Sequence, residues 1–238
     1  MALDPHIRIV GRVVANGAPL SNAIVMLDTG GDSRNVESRS VDSDGRFSFI
    51  VRDPTNNTAT IIATANNYAP AFYSVSLSPS GGPLTLSLDS GSTFRMRFVD
   101  QNDTPVAGVK VTLQRWQGSQ ALQWRTVSDD QGRFVWNHAP AGSVTFRYEK
   151  TGHSTHTHSM TLPVPSETSF TYTRMNRVYG KVVDAETKKP IDQFTYALRY
   201  RYVNNTPKRW YRYTSGTGRK GNFSSSSSGG GSTEMARA

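Results

Sequence analysis

The chain has 238 residues, with 27 Lys and Arg against 18 Asp and Glu, a formal charge of +9 with histidine neutral. It has no cysteine, which excludes disulfides, thiolate metal sites and cysteine nucleophiles. An aromatic content of 10% excludes wholesale disorder, and no apolar run approaches the roughly 20 residues that span a bilayer as a helix.

The start of the chain places Asp4, Pro5 and His6 where a secretory signal needs an apolar stretch, so no signal peptide is read there. The first predicted strand covers Ile9 to Val14, and a polar turn after it closes on Pro19-Leu20. A second strand follows with Ala23, Val25 and Leu27 at alternate positions. Asp42-Ser43-Asp44-Gly45-Arg46-Phe47 is a hairpin signal: glycine supplies positive φ, and the aspartate bonds its own backbone. Leu84, Leu86 and Leu88 alternate with polar residues in a closing strand.

The same succession then starts again. Phe94 to Val99 opens it, Pro105-Val106 closes the turn, and Val109, Val111 and Leu113 alternate. The hairpin returns as Asp129-Asp130-Gln131-Gly132-Arg133-Phe134, followed by alternation at Val144, Phe146 and Tyr148 and at Phe170 and Tyr172. A third passage has Val178 to Val183, Pro190-Ile191, then Phe194, Tyr196 and Leu198, and a looser hairpin ending at Asn222-Phe223. Pro19, Pro105 and Pro190 lie 86 and 85 positions apart, a period of whole domains with tolerated loop changes rather than of a solenoid.

Alternating short strands separated by Gly, Pro, Asn and Ser turns, with no helical period, predict an all-β chain of tandem seven-stranded Greek-key β-sandwiches, the third copy incomplete. The expected boundaries are 7–89 and 92–174 for the two complete copies, 177–223 for the partial one, and 224–238 for a Ser/Gly-rich flexible tail. A third copy that stops about three strands early is expected to belong to a fragment of a longer polypeptide, with neighbouring domains as its partners; completion of its sandwich by a partner or by another copy is the alternative.

These residues resemble the carboxypeptidase regulatory-like domain, a transthyretin-like (prealbumin-like) sandwich. The resemblance rests on Gly11 and Gly180 in the opening strands, the Pro-Leu turn, Ala23 to Leu27, Asp44-Gly45-Arg46-Phe47, and Gly142 to Phe146 leading to Gly152-His153. It covers about residues 7–174 well and 177–223 in part. It implies a non-catalytic module of exported or surface proteins, in an extracellular or cell-surface setting, with polysaccharide as the expected partner class and no cofactor.

Two candidate surfaces follow from the residues. Trp116 and Trp124 flank Gln117-Gly118-Ser119-Gln120, and Trp210, Tyr211 and Tyr213 form a second aromatic cluster. Exposed rings beside amide side chains stack on sugar faces and bond their hydroxyls. Equally, alternating aromatics are the inward face of strands. The segment from Arg177 to Lys220 holds eleven basic residues against three acids. Its Arg199, Arg201, Lys208, Arg209 and Arg212, interleaved with aromatics, form a polyanion-binding candidate; a solvated basic face is the alternative. No nucleic-acid motif is present, so an acidic polysaccharide is expected before DNA.

His156 and His158 share one side of a predicted strand, but no third ligand joins them and no metal site is assigned. No Gly-x-Ser-x-Gly elbow, His-Glu-x-x-His or phosphate loop occurs, and no catalytic residue is assigned. A pure structural spacer is the competing function.

Overall fold

In the computed structural model, which describes residues 6–30, 36–52, 56–78, 81–174, 176–202, 211–220, 222–227 and 231–235, the described residues form strands and turns and no helix. The first eight strands are β1 (His6–Ala15), β2 (Ala18–Pro19), β3 (Ile24–Asp28), β4 (Val36–Ser40), β5 (Arg46–Arg52), β6 (Thr58–Thr64), β7 (Ala71–Ser76) and β8 (Leu84–Leu88). They make two sheets: β2-β1-β5 with β8 parallel to β1, and β4-β3-β6-β7. Strand β5 shows why they pack face to face, since Phe47, Phe49 and Val51 are buried while Arg46, Ser48, Ile50 and Arg52 are exposed. Burying alternate residues satisfies the hydrophobic effect on one face and leaves the other to water. One core joins both sheets, with Val13, Phe49 and Leu86 from one and Val25, Leu27 and Ile61 from the other.

Seven strands follow: β9 (Ser92–Val99), β10 (Lys110–Trp116), β11 (Arg125–Val127), β12 (Arg133–Ala139), β13 (Gly142–Glu149), β14 (His156–Leu162) and β15 (Thr168–Thr171). Their sheets are β12-β9-β15 and β11-β10-β13-β14. The second of these has the order that β4-β3-β6-β7 has among the first eight strands. Between the two sheets lie Phe94, Met96, Phe98, Phe134, Phe146 and Tyr148, each at most 4% exposed.

The two arrangements share one hairpin turn bond for bond. Asp42 Oδ1 accepts the amides of Asp44 (2.9 Å) and Arg46 (2.8 Å), as Asp129 Oδ1 accepts those of Gln131 (2.9 Å) and Arg133 (2.8 Å). Gly45 and Gly132 have φ of 74° and 72°, the left-handed region open to glycine at no steric cost. Their amides bond Asp42 and Asp129, and their carbonyls accept the amides of Val13 and Phe98. The next link also recurs: Leu20 N donates to Val13 O, Val106 N to Phe98 O, and Ile191 N to Val182 O.

The remaining strands are β16 (Asn176–Lys181), β17 (Gln193–Tyr202), β18 (Tyr211–Arg219), β19 (Asn222–Ser227) and β20 (Gly231–Met235). They form one five-stranded sheet, β16-β19-β18-β17-β20. Gly180 pairs with Phe223 there, as Gly11 pairs with Phe47 and Met96 with Phe134 in the earlier sheets. The described residues of 176–235 contribute this one sheet, with no second sheet facing it among them. Of the Ser/Gly-rich stretch, Ser224 to Ser227 complete β19 and Gly231 to Met235 form β20. Serine and glycine bring no core, but ladder hydrogen bonds use only backbone groups, and Ser224 to Ser227 pair with Asn176 to Tyr179.

Backbone proximity divides the chain into two units. One comprises Met1–Phe98, Pro105–Tyr148 and His156–Phe170, and the other Val99–Thr104, Glu149–Thr155 and Thr171–Ala238. Within the first unit the two sandwiches are joined by packing. Ile61 and Ile62 point to opposite faces of β6, yet both are fully buried. Phe72, the cross-strand partner of Ile62, meets Trp116 edge-on at 5.6 Å.

Candidate functional site

The connection between β10 and β11 builds the site. Trp116 and Ser119 exchange backbone hydrogen bonds at 2.9 and 3.0 Å around Gln117 and Gly118, both with positive φ. That is the two-residue hairpin geometry whose twist suits flanking strands. Ser119 Oγ then donates to Asp28 Oδ2 at 2.6 Å and accepts the Ala121 amide at 3.1 Å. Ala121 and Leu122 are buried, and the Trp124 carbonyl accepts the Leu113 amide at 2.9 Å. The segment is thereby folded back along β10 and fixed at both ends.

The outcome separates the two tryptophans paired by the sequence. Trp116 is 3% exposed, its Nε1 donates to Ala141 O at 2.9 Å, and its ring packs against Phe72. A sugar ring cannot stack on it, so Trp116 as a carbohydrate platform is corrected to a packing residue between the two sandwiches. Trp124 is only half-buried. Its ring stacks on Trp136 at 4.3 Å and 20°, and lies 5.9 and 6.1 Å from Phe134 and Phe146.

Trp124 lines a groove of about 670 Å³. The second sandwich contributes Gln123, Trp124, Trp136, Asn137 and His138 to its wall, and the first contributes Ser38, Thr64, Asn66, Asn67 and Tyr68. Asn67 sits at φ 67° and His138 at φ 58°. The His138 ring nitrogen Nδ1 bonds Ser90 O at 2.8 Å, holding one end of the wall. The groove thus combines an aromatic floor with amides and hydroxyls from strands remote in sequence. Sequence reasoning missed Asn66, Tyr68 and Asn137.

The other candidates lie elsewhere. Lys208, Arg209 and Trp210 are outside the described residues. Arg199 pairs with Tyr213 across β17 and β18, next to a bulge, and Tyr211 pairs with Tyr200. Arg201 pairs with Ser232 of β20, and Arg212 lies between Tyr211 and Tyr213 on β18. Backbone pairing brings Arg199 and Tyr213 together.

The histidines pack as aromatic rings. His156 and His158 flank Phe170 edge-on at 5.5 and 5.4 Å. Burial holds the His156 pKa below its ordinary value, because desolvation disfavours the cation. His153 stacks on Tyr172 at 5.2 Å and 9°. The Tyr172 phenol is pushed up to about 12 by burial and then by the Glu149 charge. No group of three metal-ligating side chains occurs among the described residues, and the Asp42 carboxylate oxygen Oδ1 is taken up by turn amides.

Among curated proteins none matches the chain. Solved structures that resemble it include the Bacillus anthracis TIE protein, at 11% identity and a TM-score of 0.33, over 98% of this chain and 45% of that one. This chain therefore spans under half the length of that protein. A streptococcal ancillary pilin aligns at 11% identity and a TM-score of 0.34, over 98% of this chain and 96% of its own. A minor pilin of Streptococcus agalactiae aligns at 12% identity and 0.33, over 71% and 96%. At these identities and scores the likeness carries no inference about role. The family comparison is specific to one segment: residues 93–173, the span of the aromatic sandwich and of Trp124, match the carboxypeptidase regulatory-like domain.

Proposed function

We propose that the chain is a non-catalytic array of β-sandwich modules, two complete and one partial, that works outside the cell or on its surface. We further propose that it binds carbohydrate in the Trp124 groove. The observation that carries this reading is the pairing of a half-buried indole with the amides of Asn66, Asn67, Gln123 and Asn137 in one concave surface. Indole faces suit the C–H surfaces of sugars, and amides supply both donors and acceptors to hydroxyls. Its described lining residues include no carboxylate. Recurrence of the Asp42 and Asp129 turns supports the modular reading, and the matched family supports the extracellular setting by analogy.

Titration calorimetry against a panel of neutral polysaccharides tests the binding. Trp124→Ala is expected to weaken it by about tenfold or more, the effect of losing roughly 1.4 kcal/mol of stacking. Because Trp124 also packs on Trp136, the exposed Asn66→Ala and Asn137→Ala variants serve as a second arm, expected to weaken binding with melting temperature unchanged.

A spacer function is the second reading, and a specific observation favours it. The contact of Phe72 with Trp116, the burial of Ile62 and the Ser119–Asp28 hydrogen bond make the joint between the first two sandwiches a packed one. Absence of binding to every polysaccharide in the panel selects the spacer.

A further inference from the structure

The outer face of the first sandwich carries an arrangement that neither composition nor the Trp124 groove accounts for. On β1 the exposed or half-buried positions include His6, Arg8, Val10 and Arg12, and on β5 they are Arg46, Ser48, Ile50 and Arg52. The ladder sets Arg12 directly opposite Arg46, with Thr85 of β8 on the other side of Arg12. Like charges directly opposed on one face of a sheet are destabilising. The same opposition nevertheless recurs in the second sandwich, where Arg97 faces Arg133.

Local contacts hold the first pair, with an ion pair at Arg46 and a backbone carbonyl at Arg12. The Asp44 carboxylate takes Arg46 at 2.6 Å, while the Asp44 carbonyl accepts Arg12 Nε at 2.7 Å. Arg12 bonds there through Nε, and no carboxylate of the described residues pairs with Arg12 or Arg8. These side chains line a groove of about 770 Å³ that Arg39 also borders. Its one lining carboxylate, Asp42, accepts turn amides through Oδ1. Guanidinium groups held in place are suited to two-pronged bonding of carboxylate or sulfate.

We propose that this groove is a second, separate binding site, for the carboxylate or sulfate groups of an acidic polysaccharide, with Arg8 and Arg12 as its anion-binding residues and the Asp44-paired Arg46 beside them. A polysaccharide fits better than a nucleic acid. The outer positions of β1, β5 and β8 bear no exposed Phe, Tyr or Trp on which bases would stack. They offer hydroxyls at Ser48 and Thr85, which match sugar hydroxyls.

The experiment measures binding of the full chain to polygalacturonate and to dextran sulfate, with uncharged dextran and a single-stranded DNA oligonucleotide as comparisons, over a series of salt concentrations. Arg8→Gln/Arg12→Gln is expected to weaken binding of at least one acidic polymer by about tenfold at low salt, and to reduce its salt dependence by roughly one unit of slope per arginine. The polymer affected names the charged group. Arg46→Gln, at an exposed position, is expected to give a smaller loss in the same direction. Lys189→Gln/Arg219→Gln removes as many charges from the other unit and is expected to have less effect. Trp124→Ala is expected to leave acidic-polymer binding intact, so the two sites succeed or fail separately. Unchanged affinity in the Arg8/Arg12 variant overturns the site, as does an equal loss in the Lys189/Arg219 variant. Oligonucleotide binding as tight as that of polygalacturonate, lost in the same variant, overturns the polysaccharide assignment.

Discussion

The sandwiches of residues 6–88 and 92–171 share a strand order in one sheet and a set of turn hydrogen bonds, yet they are filled differently. The first core is largely aliphatic, with Val13, Val25, Leu27, Ile61, Leu86 and Leu88 around Phe47 and Phe49. The second is a chain of rings: Phe94 stacks on Phe146 at 5.8 Å, Phe98 meets Tyr148 at 4.9 Å, and Trp136 meets Phe146 at 6.2 Å. The frame therefore depends on alternation and turn chemistry and tolerates either filling. The filling governs what reaches the surface. Rings continue from Phe146 through Trp136 to Trp124, and so extend the core into the wall of the groove; the first sandwich has no such chain among its described residues.

Core truncations give the largest test of that contrast. Phe146→Ala removes a fully buried ring that touches those of Phe94, Trp124, Phe134, Trp136 and Tyr148. It is expected to cost about 3–5 kcal/mol in urea denaturation. Ile61→Ala, at an equally buried site of the first core, is expected to cost about 2–5 kcal/mol. A smaller loss at Phe146 than at Ile61 would contradict the ring network as the main support of the second core.

The shared frame is tested next, at its two glycines. A Cβ at Gly132 would sit 2.3 Å from the Phe98 carbonyl oxygen, and one at Gly45 would sit 2.6 Å from that of Val13. Since both neighbours are backbone and both φ are positive, Gly132→Ala and Gly45→Ala are each expected to cost about 1–3 kcal/mol. Thermal melts should show the larger drop for Gly132→Ala. A neutral result at either position would mean that the two turns are not equivalent.

Asp42→Ala and Asp129→Ala should cost less, about 1 kcal/mol each, because each removes hydrogen bonds to exposed amides. Equal losses sharpen the equivalence, whereas losses that differ severalfold break it.

The smallest effect distinguishes the sandwiches by pH. His156 pairs with Tyr148, whereas the matching place in the first sandwich holds Ala71, paired with Ala63. Burial lowers the His156 pKa in the folded protein. As pH falls below about 6.5, the unfolded chain therefore takes up a proton more readily than the folded one, and stability is lost. Melting temperature is expected to fall between pH 7 and pH 5, and His156→Phe to reduce that fall. An identical pH profile in the variant would remove His156 from the account.

Much of this architecture was legible because its causes are local. The alternation at Val144, Phe146 and Tyr148 assigns a face without knowledge of any partner, and Asp42 with Gly45 encodes a turn within six residues. The strand positions and the family resemblance of residues 93–173 follow from such signals. The site was legible only in part. Trp124 was singled out by its polar neighbours, but so was Trp116, and composition around a tryptophan does not say which ring the fold will cover. Asn66 and Tyr68 carried no signal, since each joins Trp124 only through a connection more than 50 residues long in sequence.

The amino-acid order alone determined the all-β class, the turns and the side of each strand that meets a core, because period-two alternation and backbone capping act within a few residues. Tertiary structure decided which of those strands became neighbours. It buried Trp116 against Phe72, put Asn66 in one groove with Trp124, and placed Arg12 opposite Arg46. Sheet pairing brings remote residues side by side, and alternation within one strand specifies a face but never the residue that will stand across from it.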